Sequence, residues 1–278
     1  MIDINRVLFN IIMANFILID GSYFCFYRYY AMIQWWGLAK QDEPLGIPIQ
    51  NKEFVDKFIS TFKEKVHDIK KKLNIENPII IVGKDCPRQA IWRNKLYGSY
   101  KSNRINGSEF LGKPFFKMAY DTLWDDAGVN AVVGFDALEA DDCIALTVER
   151  ILESVEEPHI WIIASDMDYL QIVSPAVSLY SLKYQDVSKS KTSSGNPEID
   201  KFCKIVCGDK SDAIPGVFHK CGPKTALKLY HNKTLFEDKL KSEEGSEERY
   251  NRNTQLIDFK MIPPELREGF RRDVLKCI

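Results

Sequence analysis

The chain has no C-x-x-C pair, no apolar run long enough to cross a bilayer and no visible internal repeat, and its net charge is only −1. Each absence removes a class of protein. The seven cysteines (Cys25, Cys86, Cys143, Cys203, Cys207, Cys221 and Cys277) are odd in number. Cys203 and Cys207 lie one helical turn apart with no histidine or further cysteine at zinc spacing nearby. That argues against a structural zinc site and a disulfide scaffold, and for reduced, mostly buried thiols in a cytosolic protein. The one candidate targeting segment, 7–19, is interrupted by Asn10 and Asn15 and followed by no small-residue cleavage site. It falls short of the roughly 20 residues a bilayer span needs. A short helix leading into a buried strand is expected there, and no membrane partner.

What is present in quantity is carboxylate at the ends of apolar runs. Asp20 closes Phe16-Ile17-Leu18-Ile19, and Asp85 follows Ile79-Ile80-Ile81-Val82-Gly83. Glu139, Asp141 and Asp142 open a helical pattern after Val132-Val133-Gly134. Asp166 and Asp168 follow Ile160-Trp161-Ile162-Ile163, and Asp209 and Asp212 follow a helix near Ile205-Val206. Five short apolar runs, 15–20, 78–83, 129–134, 159–164 and 177–182, read as strands. Helical patterns such as 52–73 and 139–155 separate most of them, as in a doubly wound α/β sheet. Ligands of such sheets gather at the carboxyl ends of the strands. Acids in a helix's first turn also serve simply to complement its dipole, and Asp166 alone fits an N-cap. The joint pattern is harder to dismiss. So many carboxylates share a site only if cations neutralise them, and oxygen-only ligands suit Mg²⁺, with Mn²⁺ able to substitute. The expectation is a two-metal phosphodiester site, its ions about 4 Å apart.

The near-zero net charge does not argue against a polyanionic partner. Setting aside the nine proposed ligands leaves 30 acidic against 38 basic residues, or +8. A basic body around an acidic pit is what cleavage of a polyanion requires. Between 88 and 117 the chain carries Arg88, Arg93, Lys95, Lys101, Arg104, Lys113 and Lys117 against Glu109 alone, with Trp92, Tyr97 and Tyr100 interleaved. Bases alternating with aromatics suit a single-stranded path; a solvated surface helix is the plainer alternative. Ser/Asn/Gly content around 102–108 predicts mobility without substrate.

Past 182 the composition turns polar and then helical. Residues 241–253 read as a solvated helix or loop. Gly216, Lys220, Gly222, Lys224 and Thr225 read as a hairpin whose free amides and charges grip duplex phosphates without base readout. A boundary near 183 is expected, with 1–182 a nuclease domain carrying a basic gateway at 86–117. Residues 183–278 form a helical region with a DNA-binding motif at about 198–232, and Asp209 and Asp212 reach back to complete the site. The metal-free fold should suffer mutual repulsion of nine carboxylates, so Asp168→Asn is expected to raise its melting temperature.

These motifs resemble the flap endonuclease and 5′-nuclease family, and most of all bacteriophage 5′→3′ nucleases of the T-even RNase H type. The residues that carry the resemblance are Glu139-Ala140-Asp141-Asp142, Ser165-Asp166-Met167-Asp168, Gly208-Asp209-Lys210-Ser211-Asp212 and Tyr100-Lys101-Ser102-Asn103-Arg104. It implies a PIN-like parallel sheet with a helical arch and a helix-three-turn-helix. It implies DNA with a 5′ flap or 5′ end, or RNA–DNA hybrid, as substrate, a monomer, and a cytoplasmic location (the host cytoplasm if phage-encoded). Lys101 and Arg104 would contact the scissile phosphate. Asp20, Asp85, Glu139, Asp141 and Asp166 would serve one ion and Asp168, Asp209 and Asp212 the other, with Asp142 serving either through water. The hairpin turn, Gly216-Val217-Phe218-His219-Lys220-Cys221-Gly222, departs from the family by one extra residue and a missing glycine, which puts the family's K⁺ ion there in doubt. The pair Trp35 and Trp36 reads either as core packing or as a wedge at a duplex junction. A single-strand-binding protein or sliding clamp as partner stays open. So do a PIN-type ribonuclease and a catalytically silent DNA-binding protein as rivals.

Overall fold

The computed structural model describes residues 13–104 and 110–277. Strands β1 (Met13–Asp20), β2 (Ile79–Gly83), β3 (Ala131–Val133), β4 (Glu157–Ile163) and β5 (Val177–Tyr180) form one sheet in the order β3-β2-β1-β4-β5. All four pairings are parallel. This is the expected doubly wound α/β sheet, and the strand order reverses beside β1, where such sheets hold their ligands. Central β1 shows why continuous apolar runs mark parallel strands: Phe16, Ile17, Leu18 and Ile19 have no exposed surface because helices cover both faces.

One face packs on α1 (Gly21–Ala39) and α2 (Lys52–Lys72), where Phe24, Phe54, Phe58 and Phe62 are fully buried, together with α3 (Lys113–Met118) and Trp124. Asn51 caps α2, its side-chain oxygen accepting from Phe54 N–H at 3.0 Å. The other face packs on α4 (Ala140–Ser154), with Phe259, Phe270 and Leu275 returning from the far end of the chain to cover it. Beyond β5 follow α5 (Pro197–Cys207), α6 (Pro223–His231), α7 (Lys233–Ser242), α8 (Ser246–Ile257) and α9 (Pro264–Asp273). Among the described residues no helix is long and apolar enough to cross a membrane.

Helix α1 carries no clean amphipathic pattern. Its aromatic residues face the sheet, α2 and the cleft, so most of its circumference is apolar. Trp36 is core, its indole N–H donating to the Glu43 carbonyl at 2.8 Å, while half-buried Trp35 lies under the Lys57 ammonium. The polar stretch 241–253 is not simply solvated. Within it Ser246 and Asn253 are fully buried, and the Asn253 amide donates to the carbonyls of Ile205 (3.0 Å) and Pro215 (2.8 Å), tying α8 to α5 and to the turn that follows it. The short helix expected ahead of β1, and most of the mobile stretch expected at 102–108, lie outside the described residues.

Candidate active site

The carboxyl ends of β1, β2 and β4 and the start of α4 open on one cleft of about 510 Å³. Asp20, Asp85, Glu139, Asp141, Asp166 and Asp209 line it, with Lys101, Arg104 and Lys204. Asp168 and Asp212 stand just behind, held by these cations. Local structure fixes most of the acids. Asp20 ends β1 and caps α1, with Oδ1 accepting from Tyr23 N–H (2.9 Å) and Oδ2 from the Tyr169 hydroxyl (3.1 Å). Asp85 accepts from Ala140 N–H (2.8 Å) and from the Ser22 hydroxyl, which binds the end of β2 to the first turns of two helices. Asp166 accepts from Asp168 N–H at 2.9 Å, the N-cap geometry its sequence context allows, and still lines the cleft. Gly208 lets the chain turn from α5 to Asp209: its φ is +71°, and a Cβ would sit 2.5 Å from the Ile214 carbonyl oxygen.

Two groups of acids bring ligand atoms within 4.8 Å of one another, Glu139 with Asp141 and Asp142, and Asp168 with Asp209 and Asp212. Their charge environments differ. Burial raises the pKa of Asp20 to about 7, with Asp85 and Asp166 adding to the rise. Burial and the neighbouring Asp142 and Glu139 lift Asp141 well above the ordinary carboxylate range. Asp209 goes the other way, to about 2: burial opposes the change, but the Lys204 ammonium and two bonds from Ser211 overcome it.

The gateway residues dock by main chain as well as charge. Lys101 N–H donates to the Asp212 carbonyl (2.8 Å), and Lys101 holds a left-handed backbone, φ +54°, whose own carbonyl accepts from Arg88. Its ammonium meets Glu139 at 2.5 Å and Asp212 at 3.5 Å, while the Arg104 guanidinium meets Asp212 at 2.5 Å. A strained non-glycine conformation beside charged groups is the kind that persists where surrounding contacts over-determine it.

Three expectations for this region are corrected. Arg93 does not face a nucleic acid. It is 2% exposed and makes a forked pair with both oxygens of Asp142 (2.8 and 2.7 Å) and a bond to Glu139 (3.0 Å). Asp142 in turn is fully buried and also accepts from Trp92 and from Glu139 N–H. Its Oδ2 accepts three of these bonds and its Oδ1 one, so it serves chiefly to anchor Arg93 and Glu139 rather than as an open ligand. Tyr100 and Trp92 are likewise buried, and the Tyr100 hydroxyl donates to Glu139 (2.9 Å), so neither is free to stack on bases. The alternation of bases and aromatics arises from an interior ion pair and its apolar setting. Lys95 is exposed and Arg88 half-buried. In the hairpin Lys220, Gly222, Lys224 and Thr225 are each exposed, while Gly216 turns inward against the Cys207 carbonyl.

Two residues escaped sequence reasoning. Lys204, in the last turn of α5, meets Asp209 at 2.9 Å, Asp166 at 3.6 Å and Asp168 more closely still. Only its spacing of five before Asp209 could have drawn attention to it. Phe26 is exposed in the cleft wall, stacked on Tyr30 and packed on Phe110 and Phe116. Ser22, Phe26 and Tyr30 recur at helical spacing after Asp20, a periodicity that the aromatic richness of α1 hid.

Residues 15–200 match the family model described as the 5′-3′ exonuclease N-terminal resolvase-like domain. The chain is 28% identical over 218 residues to ribonuclease H of Enterobacteria phage T4, covering 72% of this chain and 70% of that protein. It is 27% identical over 232 residues to DNA polymerase I of Synechocystis, covering 77% of this chain and 21% of that protein. Among solved structures it is similar to a bacteriophage T5 flap endonuclease variant in a pseudo-enzyme-product complex with DNA and metal ions. The TM-score is 0.64 at 18% identity, with 95% of this chain and 98% of that one covered. A T5 5′-exonuclease with bound zinc ions gives 0.63 at the same identity, covering 95% and 99%. These last two likenesses show the fold.

Proposed function

The chain belongs to the 5′-3′ exonuclease family, and from that premise we propose that it is a divalent-metal-dependent 5′→3′ exonuclease and flap endonuclease. Its substrates are DNA with a 5′ flap or 5′ end and the RNA–DNA junctions of replication primers. The observation that carries the reading is the convergence of acids from three strand ends, α4 and the loop after α5 on a single cleft that also holds Lys101 and Arg104.

The donor set fits hard divalent ions. Every candidate ligand is a carboxylate oxygen, and Asp20 and Asp141, destabilised as anions by burial and neighbouring carboxylates, form no ion pair among the described residues. Asp20, Asp85, Glu139, Asp141 and Asp166 would hold one Mg²⁺ and Asp168, Asp209 and Asp212 a second, with Mn²⁺ able to substitute. Such ions supply an activated water and neutralise the leaving 3′ oxygen. Lys101, held at the cleft by Glu139 and its main-chain bond to the 212 position, offsets charge building on the phosphate. Arg104 guides the 5′ strand past it. The exposed Lys220, Gly222, Lys224 and Thr225 hold duplex phosphates at the start of α6. This reading needs no K⁺ in the hairpin, because Arg249 already bonds the Val217 carbonyl at 2.7 Å. The division near 183, with the second part completing the site, belongs to the same proposal; Lys204 and Asp209 lying against the strand-end acids support it.

The test is relative cleavage of a 5′-flap duplex and of single-stranded RNA in Mg²⁺. Preferential release of the flap product is expected. Preference for unpaired RNA would favour the PIN-type ribonuclease instead, and no cleavage of either would favour the silent DNA-binding protein.

A further inference from the structure

The three acids of the second cluster all form ion pairs, whereas in the first Glu139 pairs with Lys101 and Arg93 but Asp20, Asp85 and Asp141 form no ion pair among the described residues. Lys204 is the centre of that difference. Its ammonium, 16% exposed, lies against Asp168 and Asp209 (2.9 Å), assigned above to the second ion, and more distantly against Asp166 (3.6 Å), assigned to the first. A divalent ion and this ammonium would draw on the same oxygens at close range, where each repels the other.

We propose that Lys204 is the resident cation of the second carboxylate cluster: it neutralises Asp168 and Asp209 in the metal-free fold and must be displaced before a divalent ion enters. Lys204 is thus a positioning residue. It orders metal loading, with the bare cluster of Asp20, Asp85 and Asp141 filling first and the self-neutralised one second. It also spares the metal-free fold the repulsion that unpaired acids would impose. Lys204 sits in the last turn of an eleven-residue helix with Ile205 and Val206 buried beside it, so its Cα is fixed while the long side chain can swing away from the acids.

This inference rests on the two-ion reading, and its test separates the two. Ca²⁺ and Mg²⁺ binding to the full chain, without DNA, is followed by titration calorimetry for the wild type, Lys204→Met and Lys204→Arg. The wild type is expected to bind one ion tightly and a second weakly. Lys204→Met should tighten the second by about tenfold or more, a modest share of the repulsion between such close charges. It should also lower the melting temperature in EDTA. Lys204→Arg keeps the cation and should restore both values towards wild type, which a merely structural role for the lysine stem in Lys204→Met would not produce. Equal second-ion affinity in all three proteins overturns the inference and leaves the nuclease reading intact. A wild type that binds no divalent ion at all overturns both. Should Lys204→Met fail to fold, Lys204→Arg and Lys204→Gln carry the comparison, and the neutral glutamine variant must still bind the second ion more tightly.

Discussion

The two carboxylate clusters use similar residues but differ in which acids pair with cations. In the first, Lys101 and Arg93 pair with Glu139, while Asp20, Asp85 and Asp141 form no ion pair among the described residues, and burial holds Asp20 and Asp141 up towards protonation. In the second, Lys204 pairs with Asp168 and Asp209, and Arg104 and Lys101 with Asp212, and Asp209 is held down at about 2. A count of acids treats the clusters as equal, and the expectation that Asp168→Asn would stabilise the metal-free fold followed from that count. Asp168 is caught between the two effects: burial, with Asp166 and Asp209 adding, holds its carboxyl at about 7 even though Lys204 pairs with it.

The sharpest way to break the comparison is through activity. Asp20→Asn or Asp166→Asn should cut cleavage of a 5′-flap duplex by at least about 10²-fold, the usual loss when one well-placed electrostatic group is removed. Binding of the same duplex in Ca²⁺ should stay within a few-fold, because it rests on the basic body. Retention of most turnover by either variant would remove that residue from the site.

Lys101→Ala should come next in size. It faces the cleft, so its loss should slow single-turnover cleavage at saturating enzyme more than it weakens binding. An unchanged single-turnover rate would reduce Lys101 to a structural partner of Glu139.

Lys224→Ala should have a smaller effect, confined to binding, and should reduce the slope of log affinity against log salt by about one. A changed single-turnover rate would contradict the separation of duplex grip from chemistry.

The first cluster also predicts a pH dependence with a definite sign. The Asp20 carboxyl has a folded pKa near 7 against an ordinary 3.8, so it binds its proton more tightly in the folded state. Its contribution to stability is full below about pH 4 and is lost as pH rises through about 7. Melting in EDTA should therefore show this contribution fading between about pH 4 and 7, and Asp20→Asn should flatten that part of the curve. A profile identical in both proteins would mean that Asp20 titrates normally.

Much of this was legible in the amino-acid order, for physical reasons. Buried parallel strands must be apolar on both faces, so β1, β2 and β4 stand out as runs, and the acid that ends each run marks the sheet's active edge. Helix α2 was visible because only one of its faces is apolar. Pairings across sequence distance were not legible. Arg93 and Asp142 are 49 residues apart, and nothing local to Arg93 distinguishes a buried fork from a phosphate contact. Asn253 looked like solvated polar sequence, yet it bridges α5 and the following turn by two buried bonds. Lys204 lay hidden in an ordinary helix end, since its role depends on three acids brought from two other segments.

The contrast between the clusters is tested most directly by thermal melts of Asp141→Asn and Asp209→Asn in EDTA at pH 8 and fixed ionic strength, beside the wild type. Neutralising Asp141 relieves a charge crowded by burial, Asp142 and Glu139 and should raise the melting temperature, whereas neutralising Asp209, whose carboxyl Lys204 and Ser211 hold down at about 2, deprives Lys204 of a partner and should lower it. A change of about 1 kcal/mol would move a domain of this size by roughly 2 °C in either direction. Opposite signs are the result expected here; shifts of the same sign in both variants would contradict the division into a bare and a self-neutralised cluster.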